Sequence, residues 1–187
     1  TLNIKYPDTK PNENVVDSAT GATVAVTKPS KKDLEGEAKF VKSQSNTGTT
    51  VTVPDTVTVN GVQYKVTSVS ANAFKNNTKI KTVKIGKYVK EIGDNAFYGC
   101  KNMTKITLPA SITKIGKKAF YNCKKLKTIS IPSKAALTEI GDSAFYNCIV
   151  LTKITIPAKV TKIGTKAFYN CKKLKTITIK STVLSSV

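Results

Sequence analysis

The chain has no histidine and no tryptophan, and none of its 187 residues is arginine, so all 31 basic side chains are lysine. Without histidine there is no Ser-His or Cys-His pair and no imidazole ligand, which removes the commonest routes to nucleophilic and zinc chemistry. Without arginine there is no bidentate fork for phosphate or guanine, which argues against sequence-specific reading of nucleic acid. Acidic residues are scarce too, 11 in all. No apolar run approaches the roughly 18 residues that a membrane-spanning helix needs. Position 1 is not methionine and no signal-like apolar segment follows it, so a mature segment or a fragment of a longer chain is expected.

What is present is unevenly placed. Residues 1–68 hold 8 lysines against 7 acids, whereas 69–187 hold 23 lysines against Glu91, Asp94, Glu139 and Asp142 alone. The basic character therefore belongs to the second part. With 40% hydrophobic residues the chain can bury a core without metal or disulfide.

The second part repeats. "AFYNCKKLKTI" occurs at Ala119–Ile129 and again, word for word, at Ala167–Ile177, 48 positions on. Aligned on that phrase, units start at Val69, Ile92, Ile115, Ile140 and Ile163, at spacings of 23, 23, 25 and 23. Each reads roughly I-G-x-x-A-F-Y-N-C-x-x-L-x-x-I-T-I-P-x-x-V-T-K, and a period of this length marks a solenoid with one coil per unit. Segments such as "LKTISIP" alternate β-branched residues and then stop at proline, which predicts a strand with one apolar side. The preceding "IGKKAFYNC" spaces Ala119, Phe120 and Cys123 for the inward face of a short helical turn after Gly116. Phe74, Phe97, Phe120, Phe145 and Phe168 are expected to stack as a buried column. The fold class is thus an α/β-type repeat solenoid, right-handed, with 23-residue coils, a strand sheet on one face and short helical turns on the other.

Stacked strands lie about 4.8 Å apart, and like charges at that distance repel by about 0.9 kcal/mol even at the dielectric of water. Three sets of positions alternate accordingly. The strand positions read Lys81-Thr82, Thr104-Lys105, Lys127-Thr128, Thr152-Lys153 and Lys175-Thr176, placing a threonine beside each lysine on the next coil. The column Glu91, Lys114, Glu139, Lys162 alternates in sign. Asp94 and Asp142 alternate with the coils of Lys117-Lys118 and Lys166.

Residues 1–16, with Pro7 and Pro11, read as an extended leader or linker, and 17–68 as a β-rich N-terminal cap on the solenoid of 69–187. Asn60-Gly61 between two alternating runs predicts a hairpin with strands near 56–59 and 62–66. "VTVP" at 51–54 imitates the strand-proline segment of a repeat, and "KKDLEGE" reads as a solvated loop. Val187 falls close to where another unit would open, so further coils are expected beyond it.

"IGDNAFYGCKNMTKITLPASITK" and "IGTKAFYNCKKLKTITIK" closely resemble the BspA-type leucine-rich repeats of bacterial cell-surface proteins, and "TVTVPDTVTVNGVQYKVTSVSANAF" looks like that family's lead-in. The likeness covers about 50–187 well and 17–50 loosely. It implies an extracellular, surface-displayed, non-catalytic solenoid used for adhesion, with no cofactor and no binding residues to carry over.

The residues themselves offer candidates. Lys81, Lys105, Lys127, Lys153 and Lys175, with Thr107, Ser130, Thr155 and Thr178, lie on the expected sheet face. They suit an anionic glycan, a cell-wall polymer or a host or cell-surface protein with an acidic surface. The plainer reading is a solvated face that resists aggregation. Tyr98, Tyr121, Tyr146 and Tyr169 could stack sugars or a partner's apolar groups, or could simply edge the core. Cys100, Cys123, Cys148 and Cys171 share one repeat position. Buried free thiols, disulfides and a metal site all stay open, with free thiols favoured because the coils are expected to splay there. Catalysis and nucleic-acid binding are disfavoured, and a monomer is expected. A spacer solenoid that presents another domain and has no ligand of its own is the alternative function.

Overall fold

The structure, a computed structural model, describes residues 10–17, 20–42 and 48–185. Its strands are β1 (Asn14–Val16), β2 (Thr23–Lys28), β3 (Gly36–Lys42), β4 (Thr50–Val53), β5 (Thr56–Val59), β6 (Val62–Val69), β7 (Thr82–Ile85) and β8 (Glu91–Ile92). There follow β9 (Lys105–Thr107), β10 (Lys114–Ile115), β11 (Thr128–Ser130), β12 (Glu139–Ile140), β13 (Lys153–Ile156), β14 (Lys162–Ile163) and β15 (Thr176–Ile179). The long sheet runs β1-β2-β3-β6-β8-β10-β12-β14, with β5 also on β6. From β6 onward it is a parallel ladder in which Val69 pairs with Ile92, Ile92 with Ile115, Ile115 with Ile140 and Ile140 with Ile163. A second parallel sheet runs β4-β7-β9-β11, and β13-β15 form a third.

The N-terminal strands pair into these same sheets, β3 with β6 and β4 with β7. Asn14–Val16, at the end of the expected leader, pair antiparallel with β2. Asn60 and Gly61, at φ 51° and 79°, close the β5-β6 hairpin, as the Asn-Gly turn demands. "VTVP" does more than imitate a repeat, since β4 pairs in parallel register with β7, Thr50 opposite Thr82. In "KKDLEGE" the turn ends at Glu35, and Gly36 and Glu37 already belong to β3. Pro7 lies outside the described residues, as does Val187.

Each coil buries a full set of apolar side chains. In one of them Ile92, Ala96, Phe97, Cys100, Met103, Ile106, Leu108 and Ile112 are all 0–1% exposed, and each large one contributes about 1.5–3 kcal/mol by leaving water. The phenylalanine column forms, with ring centroids 5.0–5.4 Å apart from Phe74 to Phe168. Phe40 of β3 extends it at 5.5 Å from Phe74, while Phe168 at the far end is only partly buried. Phe40 carries no repeat signal, so only the packing reveals it.

The expected helical turns are absent: no helix occurs among the described residues. Two positive-φ residues per coil prevent one. These are Asn72 and Asn76, Asn95 and Gly99, Lys118 and Asn122, Ser143 and Asn147, Lys166 and Asn170. Asparagine and glycine tolerate this left-handed region best. Alternate amides consequently point along the solenoid. Ala96, Tyr98 and Cys100 donate three residues back within their own turn, at 3.0–3.2 Å, while Asn95, Phe97 and Gly99 donate to Lys117, Ala119 and Tyr121 of the next coil, at 2.8–2.9 Å. This side is therefore a hydrogen-bonded ladder of turns, and its coils do not splay.

A hydroxyl ladder marks another corner, where the repeat has its "T-K". Thr113 Oγ1 donates to Lys90 O at 2.9 Å, Thr138 Oγ1 to Thr113 O at 3.1 Å and Thr161 Oγ1 to Thr138 O at 3.3 Å.

Candidate binding face

Lys105 and Lys153 are exposed within β9 and β13, while Lys81, Lys127 and Lys175 are exposed immediately before β7, β11 and β15; Thr107, Ser130 and Thr178 are exposed and Thr155 is half-buried. Inward of them Val83, Ile106, Ile129 and Ile154 are buried, which is the period-2 alternation of a half-buried strand. Register sets the neighbours. Lys105 lies between Thr82 and Thr128, and Thr107 between Lys84 and Ser130. On the third sheet Lys153 pairs with Thr176, and Thr155 with Thr178. Thr128 and Lys153 are not paired, because β11 and β13 are in separate sheets. Among the described residues none of the five lysines makes an ion pair. Lys84, exposed and facing outward on β7, belongs with them. Its missing counterpart in the other repeats hid it from a search for columns.

On the long sheet the alternating column resolves into separate pairs. Lys114 Nζ lies 3.6 Å from Glu91 and Lys162 Nζ 3.3 Å from Glu139, while Glu37 of β3 supplies a partner for Lys90 at 3.5 Å. Exposed pairs of this kind contribute only about 0–1 kcal/mol each. Asp94 and Asp142 do something different from opposing lysine ammonium groups. Asp94 Oδ1 accepts the Lys117 amide at 2.8 Å and Asp142 Oδ1 the Thr165 amide at 3.0 Å, so each carboxylate ties its coil to the next through the backbone. Gly116 is required beside this bond, because a Cβ there would stand 2.5 Å from Asp94 Oδ1 and 2.8 Å from its nitrogen.

A cleft of about 300 Å³ on the long sheet gathers Lys39, Ser68, Ser70, Glu91, Asp94 and Lys114. It mixes charges of both signs. No group of three or more Cys, Asp or Glu side chains among the described residues could hold a metal ion, and no helix there is long and apolar enough to cross a membrane.

The family model for the BspA type leucine rich repeat region matches residues 67–186 in 6 copies. The chain belongs to the BspA-type leucine-rich repeat family. Its solenoid is a module of a family of bacterial surface proteins. No curated protein matches it. Among solved structures, a leucine-rich repeat protein of Treponema pallidum is 27% identical with a TM-score of 0.70, covering 81% of this chain and 66% of its own. One from Bacteroides ovatus is 32% identical, again with a TM-score of 0.70, covering 83% of this chain and 39% of its own. The pneumococcal vaccine antigen PcpA shares the fold at 23% identity and a TM-score of 0.65, covering 92% of this chain and 50% of its own. The chain therefore spans between 39% and 66% of the length of these three.

In this BspA-type solenoid the tyrosine column is stacked on itself. Tyr98, Tyr121, Tyr146 and Tyr169 have centroids 4.6–5.0 Å apart and interplanar angles of 2–19°. Ring faces packed against ring faces are not available to a sugar, so the column offers edges and hydroxyls. Lys75 lies 5.6 Å over Tyr98, and Lys118 5.8 Å over Tyr121. Partial burial, then repulsion from the neighbouring Tyr146 and Tyr98, holds the Tyr121 phenol above its usual pKa. Beside it runs an amide ladder, Asn170 Nδ2 to Asn147 Oδ1 and Asn147 Nδ2 to Asn122 Oδ1, each at 2.5 Å.

All four cysteines are free thiols in the structure. Each Sγ donates to the carbonyl of the preceding coil's phenylalanine: Cys100 to Phe74 at 3.1 Å, Cys123 to Phe97 at 3.2 Å, Cys148 to Phe120 at 3.3 Å and Cys171 to Phe145 at 3.1 Å. Burial pushes the Cys100 thiol up to about 12 and the half-buried Cys171 to about 11, and raises Cys123 and Cys148 well above 9.0. Such thiols pack as small apolar groups and are poor nucleophiles.

Proposed function

We propose that the chain is a non-catalytic extracellular adhesion module of the bacterial surface, and that its lysine–threonine face binds an anionic polymer of the glycan or cell-wall type. In this reading the solenoid is a right-handed stack of 23-residue coils, capped at its first coil by the N-terminal strands, and acts as a monomer. The observation that carries the proposal is the pairing state of the lysines. Lys90, Lys114 and Lys162 have carboxylate partners on the long sheet. Lys81, Lys105, Lys127, Lys153 and Lys175 have none among the described residues, and all five are exposed in or immediately before strands of the second and third sheets. Their potentials add over that face and attract a polyanion from several ångströms away. The interleaved Thr107, Ser130, Thr155 and Thr178 hydroxyls supply hydrogen bonds at contact.

The test is a titration with a sulfated glycan, a phosphate-rich cell-wall polymer and an acidic protein at two salt concentrations. Binding to the polymers at low salt, weakening steeply as salt rises, is the expected result. Preference for the acidic protein would redirect the proposal to a protein partner. If none of the three binds at low salt, the spacer function replaces it.

A further inference from the structure

We propose that the junction between the third and fourth coils, where β11 meets β13, is a flexion point of the solenoid that opens on the lysine face. Three observations converge there. First, the strands of that face are hydrogen-bonded from β4 to β11 and again from β13 to β15, but not across the junction. Elsewhere the coil entering the sheet donates to the one before it: Thr104 N to Lys81 O at 2.8 Å, Lys127 N to Thr104 O at 3.0 Å and Lys175 N to Thr152 O at 2.9 Å. The matching bond from Thr152 N to Lys127 O is missing among the described residues.

On the long sheet the ion pairs follow a different grouping, Glu91 of the first coil with Lys114 of the second and Glu139 of the third with Lys162 of the fourth, so that sheet stays tied across the junction. Second, the carboxylate bonds join the second coil to the third, Asp94 to the Lys117 amide, and the fourth to the fifth, Asp142 to the Thr165 amide, while the matching position on the third coil is Lys117, whose side chain cannot accept. Third, the junction follows the one 25-residue spacing, in which "PSKAAL" replaces the "PASI" of the preceding coil. There Ile129 and Ile131 are 8% and 9% exposed, against 0% for Ile106 and 1% for Leu108.

The opposite side stays closed. Phe120 and Phe145 stack at 5.2 Å, Tyr121 and Tyr146 at 4.6 Å, and Phe120 N donates to Ala144 O at 2.8 Å. The aromatic columns and turn ladder thus act as the pivot, and the sheet face opens. Flexion changes the angle between a facet with Lys81, Lys84, Lys105 and Lys127 and one with Lys153 and Lys175. The inference stands whatever those lysines bind.

Residue-resolved hydrogen exchange on the whole chain tests it. The Thr152 and Lys153 amides should exchange about 5–30 times faster than Thr104 and Lys105, the ratio expected for one or two missing hydrogen bonds. Phe145 and Asn147, on the closed side of the same coil, should keep the protection of Phe97. Equal protection at Thr152 and Thr104 would overturn the proposal. So would a fourth coil exchanging quickly throughout, which means fraying from the end. Deleting Ser133 and Lys134 restores the 23-residue spacing. In that variant Thr152 should gain protection, and the distance distribution between labels at Lys84→Cys and Thr178→Cys should narrow. An unchanged distribution in a folded deletion variant would also count against the flexion point.

Discussion

The turn side and the sheet faces are built from the same repeat but hold their coils together by opposite rules. On the turn side identical residues lie over one another, phenylalanine on phenylalanine, tyrosine on tyrosine, asparagine on asparagine, cysteine beneath cysteine. On the sheet faces the charged positions alternate with unlike residues, lysine beside threonine and lysine beside glutamate. An aromatic ring, a primary amide or a small apolar thiol is compatible with its own copy at about 5 Å, because stacking and amide hydrogen bonds are self-complementary. An ammonium group is not, so a lysine column needs a second residue type between its members. A two-coil period is thus imposed on the charged faces, while the apolar column can keep a one-coil period.

The comparison breaks most severely at the aromatic spine. Phe120→Ala should cost about 3–5 kcal/mol in denaturant unfolding, because the ring is fully buried and stacked on both sides. Phe168→Ala should cost less than half of that, since this ring is partly exposed and stacks on Phe145 alone. Equal costs would mean that local burial, not the column, holds the coils.

The thiol column gives the next effect, through pH. A folded-state pKa raised above the ordinary value means full stability below the ordinary value and loss as pH climbs toward the folded one. For Cys100 that window runs from 9.0 to about 12. Lysines lose charge in the same range in any variant, so the readout is a difference. The melting temperature of the natural chain should fall between pH 9 and pH 11 more steeply than that of Cys123→Ala with Cys148→Ala, and parallel curves would remove the thiols from the account.

The smallest effect lies on the sheet face. Lys127→Thr with Thr128→Lys keeps the composition but sets a lysine beside Lys105, so it should lower stability by up to about 0.9 kcal/mol at low salt. The loss should vanish near 1 M salt, where screening acts within about 3 Å. An unchanged melting temperature at low salt would mark the alternation as ancestry of a duplicated two-coil unit.

Much of this was legible before folding. The inward residues Ile92, Phe97 and Ile106 follow from period and apolarity, and the Asn-Gly hairpin from two residues. The turns were misread as helical because Ala119, Phe120 and Cys123 fit a helical face. The contrary signal was the asparagine at Asn76, Asn122, Asn147 and Asn170, which marks left-handed backbone. Phe40 was illegible, since it reaches the column from a strand outside the repeat. Lys84 was illegible for a related reason, being a lone lysine among threonines and serines.

By itself the sequence determined the repeat spacing, the inward side chains and the two-coil alternation, because each is a periodicity carried along the chain. Only the tertiary structure decided which of two register neighbours Lys114 reaches, that Asp94 and Asp142 hold amides instead of lysines, and that the sheet parts between β11 and β13. Those outcomes depend on separations between atoms of different coils, more than twenty residues apart in sequence and a few ångströms apart in space, and no local pattern contains that distance.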